Sequence, residues 1–263
     1  MTTLQRLNDD SSWSLQFGNT HVLLDPWLVG DDINIAPWFS RQWLSTPAVA
    51  IDKISDVNCI LISHPFSDHC SEETLLQLPK SIRVFAVPAA ARRIRRLNHF
   101  DHVEPLFSWN HTQGIQNYGA MEITSFNPDK LIDPTHNALL LRNTETNQSI
   151  FYAPHGFVIP ETGALHDRLL NIAPALLLTT FRYYGLPAWL GGTVNLGSDY
   201  AISLIKILKP NTVIRTHDAH KEERGLVTHL AHQWIHPDPH AILEAANLTV
   251  NYREVIVGEI ITI

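Results

Sequence analysis

The sequence predicts a mixed α/β protein, rich in strands at its start and alternating strand with helix later. Three observations predict it. Short β-like runs open the chain, strand–helix–strand alternation follows, and no Gly/Ser-rich or Pro-rich linker divides the 263 residues. Their apolar share of 44% and charged share of 17% suit a chain that buries a sizeable core. One domain over residues 1–263 is therefore expected.

The opening runs are Thr3 to Leu7, Trp13 to Phe17 and His21 to Leu24, with Gly18-Asn19 as the turn between the last two. Asn58 to Ser63 is an almost continuous apolar run that reads as a buried strand. A polar, histidine-bearing loop follows, and then Ser71-Glu-Glu-Thr-Leu-Leu, where a serine stands ready to cap a helix. Arg83 to Val87 predicts another strand, and Pro88 to Leu97 a helix opened by proline. Met121 to Phe126, Ala138 to Arg142 and Ser149 to Ala153 continue as strands. In the second half Ala175 to Thr180 reads as strand, Phe181 to Gly197 as a loop rich in glycine and aromatics, Ser198 to Leu208 as helix, and Thr212 to Thr216 as strand.

Composition narrows the function classes. Nineteen Lys and Arg against 26 Asp and Glu give a formal net charge of −7, which opposes broad attraction to nucleic acid or anionic membrane surfaces. No apolar run approaches the roughly 20 residues that span a bilayer, and no cationic, apolar leader opens the chain, so a cytoplasmic location is expected. The two cysteines, Cys59 and Cys70, are too few for a disulfide framework and lack Cys-x-x-Cys spacing. Fifteen histidines make imidazole the informative side chain.

The strongest local signal is Leu61-Ile-Ser-His64-Pro-Phe66-Ser-Asp68-His69, a strand running into a turn that carries two imidazoles and a carboxylate. Imidazole nitrogen and carboxylate oxygen are ligands for borderline cations such as zinc, and a short turn aims several at one point. A locally hydrogen-bonded turn or helix cap is the other reading of the same residues.

The segment resembles the His-x-His-x-Asp-His motif of metallo-β-lactamase-fold hydrolases, written here His64-x-Phe66-x-Asp68-His69. Val22-Leu-Leu-Asp25-Pro-Trp27-Leu is similar to the strand and turn of the branch related to ascorbate-6-phosphate lactonase. Ile150-Phe-Tyr-Ala-Pro-His155-Gly156 resembles the strand end that delivers a bridging aspartate, with histidine in its place, and Leu208 to Asp218 resembles the last helix, strand and histidine ligand, His217. The four matches fall in order, each at a strand end, over roughly residues 12 to 218.

The resemblance implies a four-layer αββα sandwich of two mixed sheets flanked by helices, with the site at one edge between the sheets. It also implies a divalent cation, zinc in the first instance. Phe66 removes a ligand from the first of the family's two metal positions, so one ion is expected rather than two. Asp68, His69 and His217 would hold it, helped by His155 or His64, with His136 as a further ligand candidate. Asp68 would also orient the attacking water. Asp25 is expected either to back a ligand through a hydrogen bond or simply to form a turn.

Tyr183, Tyr184 and Trp189 in the aromatic loop are expected at a substrate lip, or else as an apolar cover. The Arg92-Arg93-x-Arg95-Arg96 cluster suits a solvated helix face better than a phosphate site. His99, His102, His111, His229, His232, His236 and His240 are read as surface or core histidines, and His220 as a reserve ligand. A metal-dependent hydrolase of a small-molecule ester, lactone or phosphoester follows, with neither nucleic acid nor membrane as partner and no signature of oligomeric state. A non-catalytic binding or scaffold protein that keeps the fold is the alternative, motivated by Phe66.

Overall fold

The computed structural model describes residues 1–109, 114–127, 135–235 and 238–263. Two seven-stranded mixed sheets face each other. The first runs, edge to edge, through Ile260–Thr262, Thr2–Arg6, Trp13–Phe17, Thr20–Leu24, Cys59–Ile62, Arg83–Ala86 and Val103–Pro105. The second runs through Asn251–Tyr252, Thr212–Arg215, Leu176–Thr179, Ser149–Ala153, Ala138–Asn143, Met121–Phe126 and Ile115–Tyr118. In both, antiparallel strands at one side give way to parallel strands at the other.

Side-chain alternation explains how each sheet covers two cores, because successive strand residues point to opposite faces. Leu61 joins Trp13, Leu15, Phe17, Leu139, Tyr152, Leu176 and Leu178 between the sheets, whereas Ile60 and Ile62 face Ala90, Ala91 and Ile94 of helix Pro88–Arg96 outside. Leu177 likewise turns outward, onto Ala201, Leu204, Ile205 and Leu208 of helix Ser198–Leu208. Those four positions recur at helical spacing and form one apolar stripe. Continuous apolar strands such as Cys59–Ile62 arise because both faces are covered. The result is the four-layer αββα sandwich.

Local chemistry sets most element ends where the sequence puts them. Ser71 accepts a hydrogen bond from the Thr74 amide at 3.2 Å and caps the short helix Glu72–Leu75. Pro88 opens its helix, and Lys209 ends the later one in left-handed conformation before Pro210.

Residues 181–197 depart from expectation. They contain strands Arg182–Gly185 and Thr193–Leu196, joined through the 3-10 turn Ala188–Leu190, and pair with a remote strand, His232–Ile235. That partner is 36 or more residues further along, so no local pattern announces the pairing. A second small sheet joins Asp32–Asn34, Ser40–Leu44 and Lys221–Arg224. Among the described residues no helix is long and apolar enough to cross a membrane.

Candidate metal centre

The residues singled out in the sequence meet at the C-terminal ends of strands from both large sheets, where parallel strands leave an open edge. Asp25 follows Thr20–Leu24, and Ser63 and His64 follow Cys59–Ile62. His155 follows Ser149–Ala153 after one proline, and His217 follows Thr212–Arg215 after one threonine. Asp25 and His217 both adopt left-handed backbone, with φ of 46° and 61°. This conformation is uncommon outside glycine and found at functional turns.

Asp25 is the hub. Fully buried, it accepts from the Ser63 amide at 2.7 Å, from the Ser63 hydroxyl, from His69 Nδ1–H at 2.8 Å and from the Tyr152 hydroxyl at 2.8 Å. Since the Ser63 hydroxyl donates to Asp25, it accepts from His64 Nδ1–H, 2.6 Å away. One carboxylate therefore fixes the tautomer and aim of two imidazoles. His155 is fixed independently, its Nδ1–H donating to Asn195 Oδ1 at 2.7 Å.

In consequence the Nε2 atoms of His64, His69 and His155 point into one buried space, and none has a hydrogen-bond partner. They lie within 4.8 Å of one another. The His64 and His155 rings are 4.6 Å apart, and His69 stands 4.8 and 4.9 Å from them. Three buried lone pairs without donors are costly, and convergent imidazoles with open Nε2 fit a cation.

A second group, Asp68, His69 and His217, also lies within 4.8 Å. Asp68 and His217 are already engaged. His217 Nε2–H donates to Asp68 Oδ2 at 2.9 Å, and His217 Nδ1 accepts from Asn195 Nδ2 at 3.0 Å. Lys221 Nζ lies 3.2 Å from Asp68 Oδ2 and 2.9 Å from Asp10 Oδ2, above the face of Trp27 at 5.3 Å.

Burial, aided by repulsion from neighbouring imidazoles, holds His64 and His155 well below the ordinary histidine pKa, so both are neutral. Burial also lowers His69, but the charges of Asp68 and Asp25 outweigh it and the net shift is upward. Burial would raise Asp68, yet Lys221, His69 and His217 together hold it well below the carboxylate range. Burial and the Asp68 charge push Asp32, across the cavity, up to about 7.

Asp68, His136, His155, His217 and Lys221 line a cavity of about 1010 Å³ whose walls are the two small sheets. Tyr184 and Arg182 come from one wall, and Asp32 and Gln42 from the other. Phe66 sits at its floor, edge-on to His155 at 6.2 Å, where the family motif has an imidazole. His136 is buried and close enough to His64 to repel its protonated form.

Of the three aromatic candidates Tyr184 lines the cavity, while Tyr183 is 37% exposed and Trp189 is 73% exposed. His220 is exposed, and His111 and His236 lie outside the described residues. In the arginine cluster Arg93 bonds Glu72 and the Pro65 carbonyl, Arg95 bonds the Val103 carbonyl, and Arg92 and Arg96 are exposed. That is a solvated, locally paired helix face.

Sequence reasoning missed Asp10, Tyr152, Asn195 and Lys221. Tyr152 stands inside the run 150–156, where His155 is the residue singled out, and the other three lie in no motif. The one available signal was an asparagine two residues before Gly197, on a strand mistaken for loop.

Sheets, helices and a histidine-lined strand edge together define a metallo-hydrolase-type αββα protein. The chain matches the beta-lactamase superfamily domain over residues 6–217 and belongs to that family. A possible metal-dependent hydrolase from Veillonella parvula shares the fold at a TM-score of 0.70, with 15% identity and 100% of both chains covered. Isothiocyanate hydrolase from Delia radicum gut bacteria does so at 0.69, with 16% identity and 99% and 98% covered. The cytidine monophosphate-N-acetylneuraminic acid hydroxylase of Xenopus laevis is 37% identical over 67 residues, 24% of this chain and 10% of that relative, so this match spans a small part of either protein.

Proposed function

We propose that the protein is a metal-dependent hydrolase of a small-molecule ester, lactone or phosphoester, with one divalent ion, zinc, on Nε2 of His64, His69 and His155. The observation that carries this reading is the convergence of three buried, partnerless Nε2 atoms whose Nδ1 atoms are all engaged. Three imidazoles, one of which lines the large cavity, match the three-ligand donor set of catalytic rather than structural sites. A zinc ion there supplies Lewis acidity, acidifying water and polarising the oxygen of the group under attack.

The chain's own residues complete the chemistry. Asp68 uses Oδ2 for both Lys221 and His217, which leaves Oδ1, 3.8 Å from His69 Nε2, to accept a hydrogen bond from the attacking water. Because Asp68 stays ionised, it orients the water more than it stores its proton. Arg182 places positive charge on the cavity wall, suited to an anionic substrate group, while the ammonium of Lys221 is held by Asp68 and Asp10. Tyr184 and Phe66 offer apolar surface for the rest of the molecule. The Asp25-Pro26-Trp27 turn supports a lactone first among the three substrate classes, by its likeness to the lactonase-related branch.

The test is metal analysis of protein purified without chelator, coupled to turnover of a p-nitrophenyl ester, a γ-lactone and bis-p-nitrophenyl phosphate. Bound metal is expected, with turnover lost on chelation and both lost in His155→Ala. A metal-free protein, or metal content unchanged in His155→Ala, rejects the reading and favours a non-catalytic binding protein.

A further inference from the structure

The site presents two groups of metal-compatible residues, yet the wiring around them serves only one ion. His69 belongs to both groups. Its Nδ1 is spent on Asp25, so it has a single lone pair, on Nε2, for a single cation. The Asn195 amide imposes a second restriction. It bridges His155 and His217, accepting from one through Oδ1 and donating to the other through Nδ2. An amide has one oxygen, so only one of these imidazoles obtains the Nδ1–H tautomer that frees Nε2 for a metal. His155 is that one, since its Nε2 has no partner while His217 Nε2–H is bonded to Asp68.

What remains of the second group is Asp68, His217 and the adjacent Asp10, whose Oδ2 lies 3.7 Å from His217 Nε2. A cation already stands among them. The side chain of Lys221 is 8% exposed and its Nζ touches both carboxylates, at 2.9 and 3.2 Å. Two nearby carboxylates with no counter-charge would be costly there, and an ammonium tethered to the chain supplies that charge without dissociating.

Resting on the hydrolase reading above, we propose that Lys221 occupies the second cation position with its own ammonium, so that the protein binds a single metal ion at His64, His69 and His155. Asn195 is then a positioning residue that selects His155 over His217 as ligand.

The experiment titrates zinc and cobalt into chelator-stripped full-length protein, with stoichiometry read by calorimetry and elemental analysis and ligand field by the cobalt visible spectrum. Wild type is expected to take up about one equivalent, as is Lys221→Arg, and Lys221→Ala a second equivalent, held by the carboxylates of Asp10 and Asp68 that the ammonium vacates. His217→Ala is expected to keep its equivalent with the wild-type cobalt spectrum, and Asn195→Leu to weaken binding by roughly 10–100-fold. Two equivalents in wild type, a folded Lys221→Ala that stays at one, or loss of metal in His217→Ala overturns the proposal and leaves the hydrolase reading standing. Should Lys221→Ala not fold, wild type and His217→Ala still decide it. No metal in wild type overturns both.

Discussion

Asp25 concentrates the demands of the site in one side chain. A buried carboxylate is tolerated only when its oxygens are satisfied, and Asp25 takes four donors, one of them the Tyr152 hydroxyl from the opposite sheet. Tyr152→Phe keeps the ring in the central core and deletes that donor. It is expected to destabilise the protein by about 1–3 kcal/mol, measured by urea unfolding of the metal-free form. An unchanged midpoint would mean that Asp25 is satisfied without it. At the same scale the sequence displayed His64, Asp68 and His69 openly, because a strand followed by a dense polar turn is a local pattern. Asp25 was visible only as a turn former or backing residue, since its partners at 63, 69 and 152 are brought to it by folding.

At the scale of elements, the site depends on how strand ends are joined to the small sheets. His155 is followed by Gly156 at φ 84°, and strand Thr193–Leu196 closes over it, with the Leu196 amide donating to the His155 carbonyl at 3.0 Å. A Cβ on Gly156 would meet Leu196 Cβ at 3.0 Å in a left-handed backbone that costs alanine about 1–2 kcal/mol. Gly156→Ala should therefore lower stability by at least that amount. It should also weaken metal binding, because the strand displaced is the one carrying Asn195, and calorimetric zinc titration of the refolded variant checks this. The central strands and the two long helices were legible in advance, since their apolar periods are local. The strand pair within 181–197 was not, because its partner His232–Ile235 lies far along the chain. Lys221 hid for the same reason, on a strand that pairs with Ser40–Leu44.

For the whole molecule, a metal centre at the joint edge of two sheets couples binding to folding. The proposed ligands lie at positions 64, 69 and 155, beyond strand ends of different sheets, so the unfolded chain offers no comparable site. Free zinc at 100 times its dissociation constant should stabilise the native state by about 2.7 kcal/mol. For a chain of this size that corresponds to a rise in Tm of roughly 5–10 °C. Differential scanning calorimetry of stripped and reloaded protein measures it, and His155→Ala should show no rise. A wild-type Tm indifferent to zinc would exclude a native-state site of that affinity.

By itself the sequence determined the mixed order of strands and helices and the strand-end turns, because apolar period and proline and glycine punctuation act over a few residues, while its family resemblance implied the four layers and pointed to the candidate imidazoles. Only the tertiary structure decided which lone pairs are free. His217 and Asp68, 149 residues apart, are joined by a hydrogen bond. Lys221 reaches Asp68 across 153 residues, and Asn195 assigns the tautomers of His155 and His217. The physical reason is that a ligand is defined by an unshared electron pair, and whether an imidazole keeps one depends on hydrogen-bond partners that only the packing of two sheets brings within 3 Å or so of it.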